Sequence, residues 1–393
     1  MMSSEMQYRI DPKSGNRLSA LGFGCMRFPS NAALREELVT AAVKAGINYF
    51  DTAYGYPGSE TALGSILKKH CLREKVYIAD KLPHYKCKSP EDIEKLFAES
   101  LSRLQTDYID YYLIHNIGSH DVWERLMGLG IAEWIAEKKA KGIIREIGFS
   151  FHGKAVAFLP LLEAYNWDFC QIQYNYMNEN YQAGTAGLKA IHKRGMAAVI
   201  MEPLLGGRLA QNLPKAAKDL FDKSAPDHTP AAWGFKWLYD KPEVTVVLSG
   251  MNAMEQLSEN LDIVGNSPVY LLSDEERAVY GKVYGAISEA YKIPCTGCNY
   301  CMPCPSGVNI PACFSAYNMS HVLGFSSGIK LYLTSVMGLG STSGSVSKCT
   351  RCGVCMKKCP QNINIPDKLK DVRKRLEPLP IRAVLAIIRR VMG

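Results

Sequence analysis

Hydrophobic positions follow two alternating periods along most of this chain. Short β-branched and aromatic runs alternate with longer stretches in which apolar residues return every three or four positions. After a short hairpin from Met6–Ile10 and Arg17–Leu21, the pattern predicts strands at 20–25, 47–52, 76–81, 109–114, 145–150, 169–174, 196–201 and 244–248. Helical patterns fall between them at 31–45, 60–70, 89–104, 121–141, 154–165, 185–194 and 229–239, with an eighth near 253–262. Gly-Ser-Glu precedes the second helix, and Ser89-Pro90-Glu91-Asp92 supplies an N-cap with proline at the first helical position. Gly46, Gly142 and Gly195 each fall just past a helix, where a left-handed residue ends it. Eight strand-then-helix units predict an α/β fold, a closed (β/α)8 TIM barrel. An open doubly wound sheet is the alternative, but Gly22-Phe-Gly24-Cys-Met-Arg27 lacks the third glycine of a nucleotide turn.

Beyond the barrel pattern the organisation changes. A longer loop at 204–228 follows the seventh strand, with Gly206-Gly207 as a hinge over substrate. The domain reading is a barrel over 1–275, a linker over 276–294 and a small, mainly helical domain over 295–393. Ser273-Asp-Glu-Glu276 starts a helix in the connection, and the Gly338–Ser347 tract reads as flexible. Near the end, Ile381, Val384, Leu385, Ile388 and Met392 share a helical face that is expected to dock on its own domain.

Composition refines this picture. A hydrophobic share of 47% with 21% charged residues belongs to a globular protein with a sizeable core. No run of about 18 apolar residues predicts a transmembrane segment, and Met1–Asp11 lacks the apolar stretch of a secretory signal. A cytoplasmic location is expected. Residues 295–393 hold 13 Lys+Arg against 3 Asp+Glu, leaving 33 and 35 in the first 294. A near-neutral large domain thus carries a basic small one, which favours an acidic partner unless thiolates and bound clusters offset the charge. The basic tail has no interleaved aromatics or recognisable module, so no nucleic-acid partner is expected.

The candidate chemistry begins at Phe50–Glu60, where an apolar run enters Asp51, Tyr54 and Tyr56 before Pro57-Gly58 turns the chain. Lys81 and His115 stand at the ends of the next two strands. An acid, a phenol, an ammonium and an imidazole at the carboxyl ends of barrel strands form a proton-handling set on the catalytic face. A phenol titrates near pH 10, about three units above neutrality, and a nearby ammonium favours its ionised form. Taken singly, each residue also has an ordinary structural use: a core histidine, a strand-end lysine, a turn aspartate, an aromatic wall.

In this order, Asp51-Thr-Ala-x-x-Tyr56, Lys81 and Leu113-Ile-His115-Asn, the stretch from Leu18 to Asn260 resembles the aldo-keto reductases. The resemblance implies that Tyr56 gives a proton to a carbonyl oxygen, Lys81 lowers its pKa, Asp51 pairs with Lys81, and His115 orients the small carbonyl or alcohol substrate. It also implies an NAD(H) or NADP(H) site. Ser150 and Gln171 would hold the nicotinamide carboxamide, Pro203 and Leu204 would pass the pyrophosphate, and Gly250, Gln256 and Asn260 would belong to the adenosine loop. There are three departures from the family. Phe151 replaces an asparagine, Met201 replaces a stacking aromatic ring, and 251–256 holds no Arg or Lys for a 2′-phosphate.

Of thirteen cysteines, Cys25, Cys71, Cys87, Cys170 and Cys313 are scattered and expected in the core, and eight are grouped. Cys295-x2-Cys298-x2-Cys301-x2-Cys304-Pro and Cys349-x2-Cys352-x2-Cys355-x3-Cys359-Pro resemble the bacterial two-cluster ferredoxin run, the first one residue short. That resemblance implies two [4Fe–4S] clusters with crossed ligation. Cys295, Cys298, Cys301 and Cys359 would hold one, and Cys349, Cys352, Cys355 and Cys304 the other. Two four-thiolate zinc sites are the alternative, although zinc usually draws cysteine pairs from separated segments. The whole resembles aldo-keto reductases with a C-terminal two-cluster domain, which implies a nicotinamide-dependent oxidoreductase. An acidic electron carrier such as ferredoxin or flavodoxin is the expected protein partner. The alternative is an electron-transfer protein whose barrel is a binding or regulatory scaffold.

Overall fold

The computed structural model describes residues 5–211, 213–337 and 344–378. They divide into two compact units: residues up to Leu204 with Ala231–Ser273, and Leu205–Pro230 with those from Asp274 onward.

The first unit opens with a hairpin, β1 (Tyr8–Ile10) and β2 (Arg17–Ser19), paired antiparallel with Arg9 opposite Leu18. Eight strands follow: β3 (Leu21–Gly24), β4 (Tyr49–Asp51), β5 (Tyr77–Leu82), β6 (Ile109–Ile117), β7 (Ile144–Phe151), β8 (Phe169–Gln173), β9 (Ala197–Met201) and β10 (Val246–Ser249). They pair in sequence order and β10 closes on β3, giving a closed barrel whose strand pairs are all parallel.

Alternation along each strand decides what fills the barrel. Tyr49, Ala79, Tyr111, Leu113, Phe169, Ala197, Val199, Val246 and Leu248 pack together inside, with Leu18 of the hairpin among them. Aromatic rings take much of this space, so other inward positions must be small. A Cβ on Gly148 would lie 2.5 Å from the Phe169 carbonyl oxygen. Where the chain enters the barrel, the Tyr111 hydroxyl donates to Asp11 Oδ2 at 2.9 Å. The same two-residue step carries the inward face upward to Asp51, Lys81, His115, Ser150, Gln171 and Met201, which explains why sparse polar residues in apolar strands converge.

The predicted helices form with the expected punctuation. Ser89 and Asp92 make a capping box on helix Pro90–Leu104, and Gly46, Gly142 and Gly195 have φ of 95°, 70° and 63°. The pattern at 121–141 is two helices, His120–Met127 and Ile131–Ala140, broken where Gly130 takes φ 73°. Cys71 is exposed at a left-handed turn, unlike the buried Cys25, Cys87, Cys170 and Cys313.

The second unit departs from the linear domain reading. The stretch 204–228, expected as a loop of the barrel, falls from Leu205 onward in the segment Leu205–Pro230, which groups with the cysteine-bearing segment instead. They carry helix Lys215–Ser224, whose Phe221 ring meets Tyr280 at 5.9 Å. Tyr280 belongs to helix Asp274–Ala290, so most of the stretch read as a linker is helical. Helices Ile310–Val322, Phe325–Tyr332 and Ile365–Leu376 build the rest around Val308, Phe314, Tyr332 and Val372, all fully buried. The apolar stripe at Ile381–Met392 lies outside the described residues. Among the described residues, no helix is long and apolar enough to cross a membrane.

Candidate functional site

Asp51 ends β4, Lys81 lies near the end of β5 and His115 near the end of β6, all buried. Lys81 Nζ donates to Asp51 Oδ1 and Oδ2, both at 2.7 Å, and to the Thr52 carbonyl at 2.6 Å. Three donors thus meet three oxygens, which is what a buried ammonium needs. Burial pushes the Asp51 carboxyl upward; the Lys81 ammonium and a hydrogen bond from Gln171 pull against it.

Tyr56 is delivered by the turn after β4. Its backbone N–H donates to the Ala53 carbonyl at 2.9 Å, and Ser59 Oγ contacts Thr52 Oγ1 at 2.8 Å. The ring is 9% exposed, its centroid 5.1 Å from Lys81 Nζ and 5.9 Å from the His115 ring, edge-on at 87°. Tyr54 turns elsewhere: its hydroxyl donates to Glu99 Oε2 at 2.7 Å, and its ring lies 4.3 Å from Arg103 and 4.6 Å from Lys86. Of the two tyrosines, Tyr56 is the one that lies beside both Lys81 and His115.

Burial holds the His115 imidazole well below its ordinary pKa, and Lys81, His152 and His84 add to the effect. His152 and His84 are themselves lowered to about 4, chiefly by burial. A neutral imidazole offers one N–H donor and one acceptor, the form suited to polarising an oxygen. His84, His152 and Tyr85 escaped the sequence reading because they stand alone on connections or at a strand's edge. Tyr85 is 60% exposed, and its hydroxyl lies 3.3 Å from the position a Cβ on Gly55 would take. His152 Nδ1 meets Gln182 Oε1 at 3.2 Å, and Gln182 Nε2 donates to Gln173 at 3.0 Å. Only their three-dimensional proximity could have flagged them.

The residues expected to hold a nicotinamide fall on neighbouring strands. Ser150 on β7 and Gln171 on β8 are adjacent in register and buried. Ser150 Oγ accepts the Asn116 N–H at 2.7 Å, which leaves its hydroxyl proton to donate. Gln171 Oε1 is buried without a hydrogen-bond partner, an expensive arrangement unless a ligand supplies a donor. A primary carboxamide needs one donor and one acceptor, so this pair fits one. Phe151 cannot add an amide; its ring packs on Phe158 at 4.9 Å. Pro203 and Leu204 follow β9, and Gly250 follows β10. Gln256 Oε1 accepts the Asn252 N–H at 3.0 Å, and Asn260 Nδ2 donates to Ser249 Oγ at 2.9 Å, so both order the 250–260 turn. Arg27 comes to this turn from the end of β3: its Cβ is 3.7 Å from where a Cβ on Gly250 would sit. The linear sequence hides that cation, because it lies more than two hundred residues away.

In the second unit the cysteines sort into two sets. Cys295, Cys298, Cys301 and Cys359 line one cavity of about 310 Å³, with Phe314 and Ile363. Cys304, Cys349, Cys352 and Cys355 line another of about 300 Å³, with Leu369 and Pro366. Ile310 borders both. Burial and the three neighbouring cysteines push the Cys301 thiol up to about 12. Four thiolates would repel one another unless a cationic core neutralised them, and an iron–sulfur core does so. Among the described residues, no three His, Cys, Asp or Glu side chains converge as ligands of a single ion. Each thiol set surrounds a volume rather than a point.

A closed parallel barrel with this buried set on its strand ends defines an oxidoreductase of the β/α-barrel class. The chain belongs to the aldo/keto reductase family, whose model matches residues 20–276, and a 4Fe-4S dicluster domain matches 294–365. An aldo-keto reductase of Schizosaccharomyces pombe, named for NADP(+), is 25% identical over 295 residues, covering 63% of this chain and 84% of its own. A 6-dehydroglucose reductase of Novosphingobium aromaticivorans is 28% identical over 278 residues, covering 63% and 87%. A solved aldo-keto reductase from Bacillus halodurans, in its holo form, is 26% identical with a TM-score of 0.60 over 71% of this chain and 96% of its own.

Proposed function

We propose that the barrel reduces a small-molecule carbonyl, or oxidises the matching alcohol, with NAD(H) or NADP(H), and that the second unit carries two [4Fe–4S] clusters. The observation that carries the first part is the Asp51–Lys81 pair, 2.7 Å at both oxygens, beside the Tyr56 ring. The nicotinamide, when bound, supplies the hydride. Tyr56 donates the proton to the carbonyl oxygen, and Lys81 makes that possible by favouring the phenolate left behind. Asp51 holds Lys81 in place through two hydrogen bonds and offsets its charge. His115, neutral, donates an N–H to the same carbonyl oxygen and sets its orientation. Ser150 and Gln171 anchor the carboxamide, and Pro203, Leu204, Gly250, Gln256 and Asn260 shape the path of the rest of the nucleotide. Arg27 supplies a cation that the 251–256 turn lacks.

The crossed cysteine sets support two clusters held in a reducing, cytoplasmic environment. The eight thiolates fix their position, and the apolar walls around Ile310 and Phe314 restrict water. Protein prepared anaerobically is expected to contain about eight iron atoms per chain and to oxidise NADH or NADPH when a carbonyl is added. Zinc in place of iron would reject the cluster assignment. Iron-loaded protein that binds neither nucleotide would leave an electron-transfer protein with a scaffold barrel.

A further inference from the structure

We propose that an acidic one-electron carrier protein docks on the exposed surface around Cys352, so that electrons enter through the cluster of the second cysteine run. This rests on the reading of two electron-exchanging clusters and adds which one faces the carrier.

The two runs differ in charge and exposure. Residues 295–304 contain no charged side chain, whereas 348–359 contain Lys348, Arg351, Lys357 and Lys358 and no acid. All four cations are exposed. Cys352 is exposed as well, beside the half-buried Cys349 and the buried Cys355, while Cys295, Cys298 and Cys301 are all half-buried. Arg351 bonds Asp367 at 2.9 Å, but among the described residues Lys357 and Lys358 form no ion pair, so their charge is not offset locally. Next to Cys352, helix Val354–Lys357 presents Val354 and Met356, 37% and 42% exposed. A small apolar centre flanked by the exposed Lys357 and Lys358 suits a transient redox encounter. The lysines steer an acidic partner, and the centre supplies modest contact area. The step is balanced without bond changes: one electron leaves the carrier and enters the cluster.

The test is anaerobic stopped-flow mixing of the iron-loaded full chain with a reduced, acidic [4Fe–4S] ferredoxin as the probe. The double variant Lys357→Glu, Lys358→Glu is expected to lower the second-order rate about tenfold or more at low salt, and to flatten its salt dependence. Dithionite should reduce its clusters as in the parent protein. Lys215→Glu, Lys218→Glu makes the same change in net charge on helix Lys215–Ser224 and should leave the rate close to the parent value. Equal rates in all three proteins, an equal fall in both variants, or no reduction of the parent by this ferredoxin would overturn the inference. A chain that binds no iron would remove the underlying cluster reading as well, which distinguishes the two failures.

Discussion

Tyr56→Phe is expected to lower carbonyl reduction by about 10²–10⁴-fold, the range of a lost general acid, while nicotinamide binding stays within a factor of two or so. The substitution removes one oxygen from a ring that is 9% exposed and leaves its edge-on contact with His115 in place. Folding should therefore be little affected. Fluorescence titration with NADPH and NADH separates binding from chemistry. A variant that binds the nucleotide but does not turn over assigns the hydroxyl to the proton step; one that keeps its rate removes Tyr56 from it.

Lys81→Met is expected to cost both activity and stability. Lys81 is 1% exposed, and removing its ammonium leaves Asp51 as a buried carboxylate without its counter-ion. Breaking a buried pair from one side costs about 3–5 kcal/mol. Adding Asp51→Asn should recover much of that stability and none of the activity, because the unpaired charge is gone but the phenol still lacks its cation. Denaturant midpoints of the single and double variants measure the first effect, with the two units followed separately since they need not unfold together. Equal midpoints for Lys81→Met and the parent protein would mean that Asp51 is satisfied by some other group.

Much of this was legible in the sequence, for a physical reason. Barrel strands buried on both faces read as continuous apolar runs, so a polar residue at the end of one is conspicuous. Asp51, Lys81 and His115 met because strand order and the two-residue alternation allow no other outcome. The crossed cysteine sets were implied by the resemblance of the two runs to a two-cluster ferredoxin, and the structure gathers Cys359 with the first run and Cys304 with the second. What was missed depends on contacts between distant segments. Nothing near Leu205–Pro230 says that it packs with helix Asp274–Ala290, and nothing near Arg27 points to Gly250. His115 itself sits inside β6 rather than just past it, because the strand runs on to Ile117 through an irregularity at 114–117 where Asn116 takes φ 59°. Cys71 misled for a simpler reason: its residue type favours burial, but its place after a helix exposes it.

The proposed proton transfer rests on the environment of one phenol. Elsewhere in this barrel burial drives tyrosine hydroxyls upward, as at Tyr49 and Tyr112; Tyr56, buried as well but facing an ammonium, is expected to move the other way. The direct measurement is its ionisation, taken as the difference in high-pH absorbance titration between the parent protein and Tyr56→Phe. An apparent pKa clearly below the ordinary value of about 10 is the predicted result. A value at or above it would mean that Lys81 does not activate Tyr56, and the proposed proton donor would have to be abandoned.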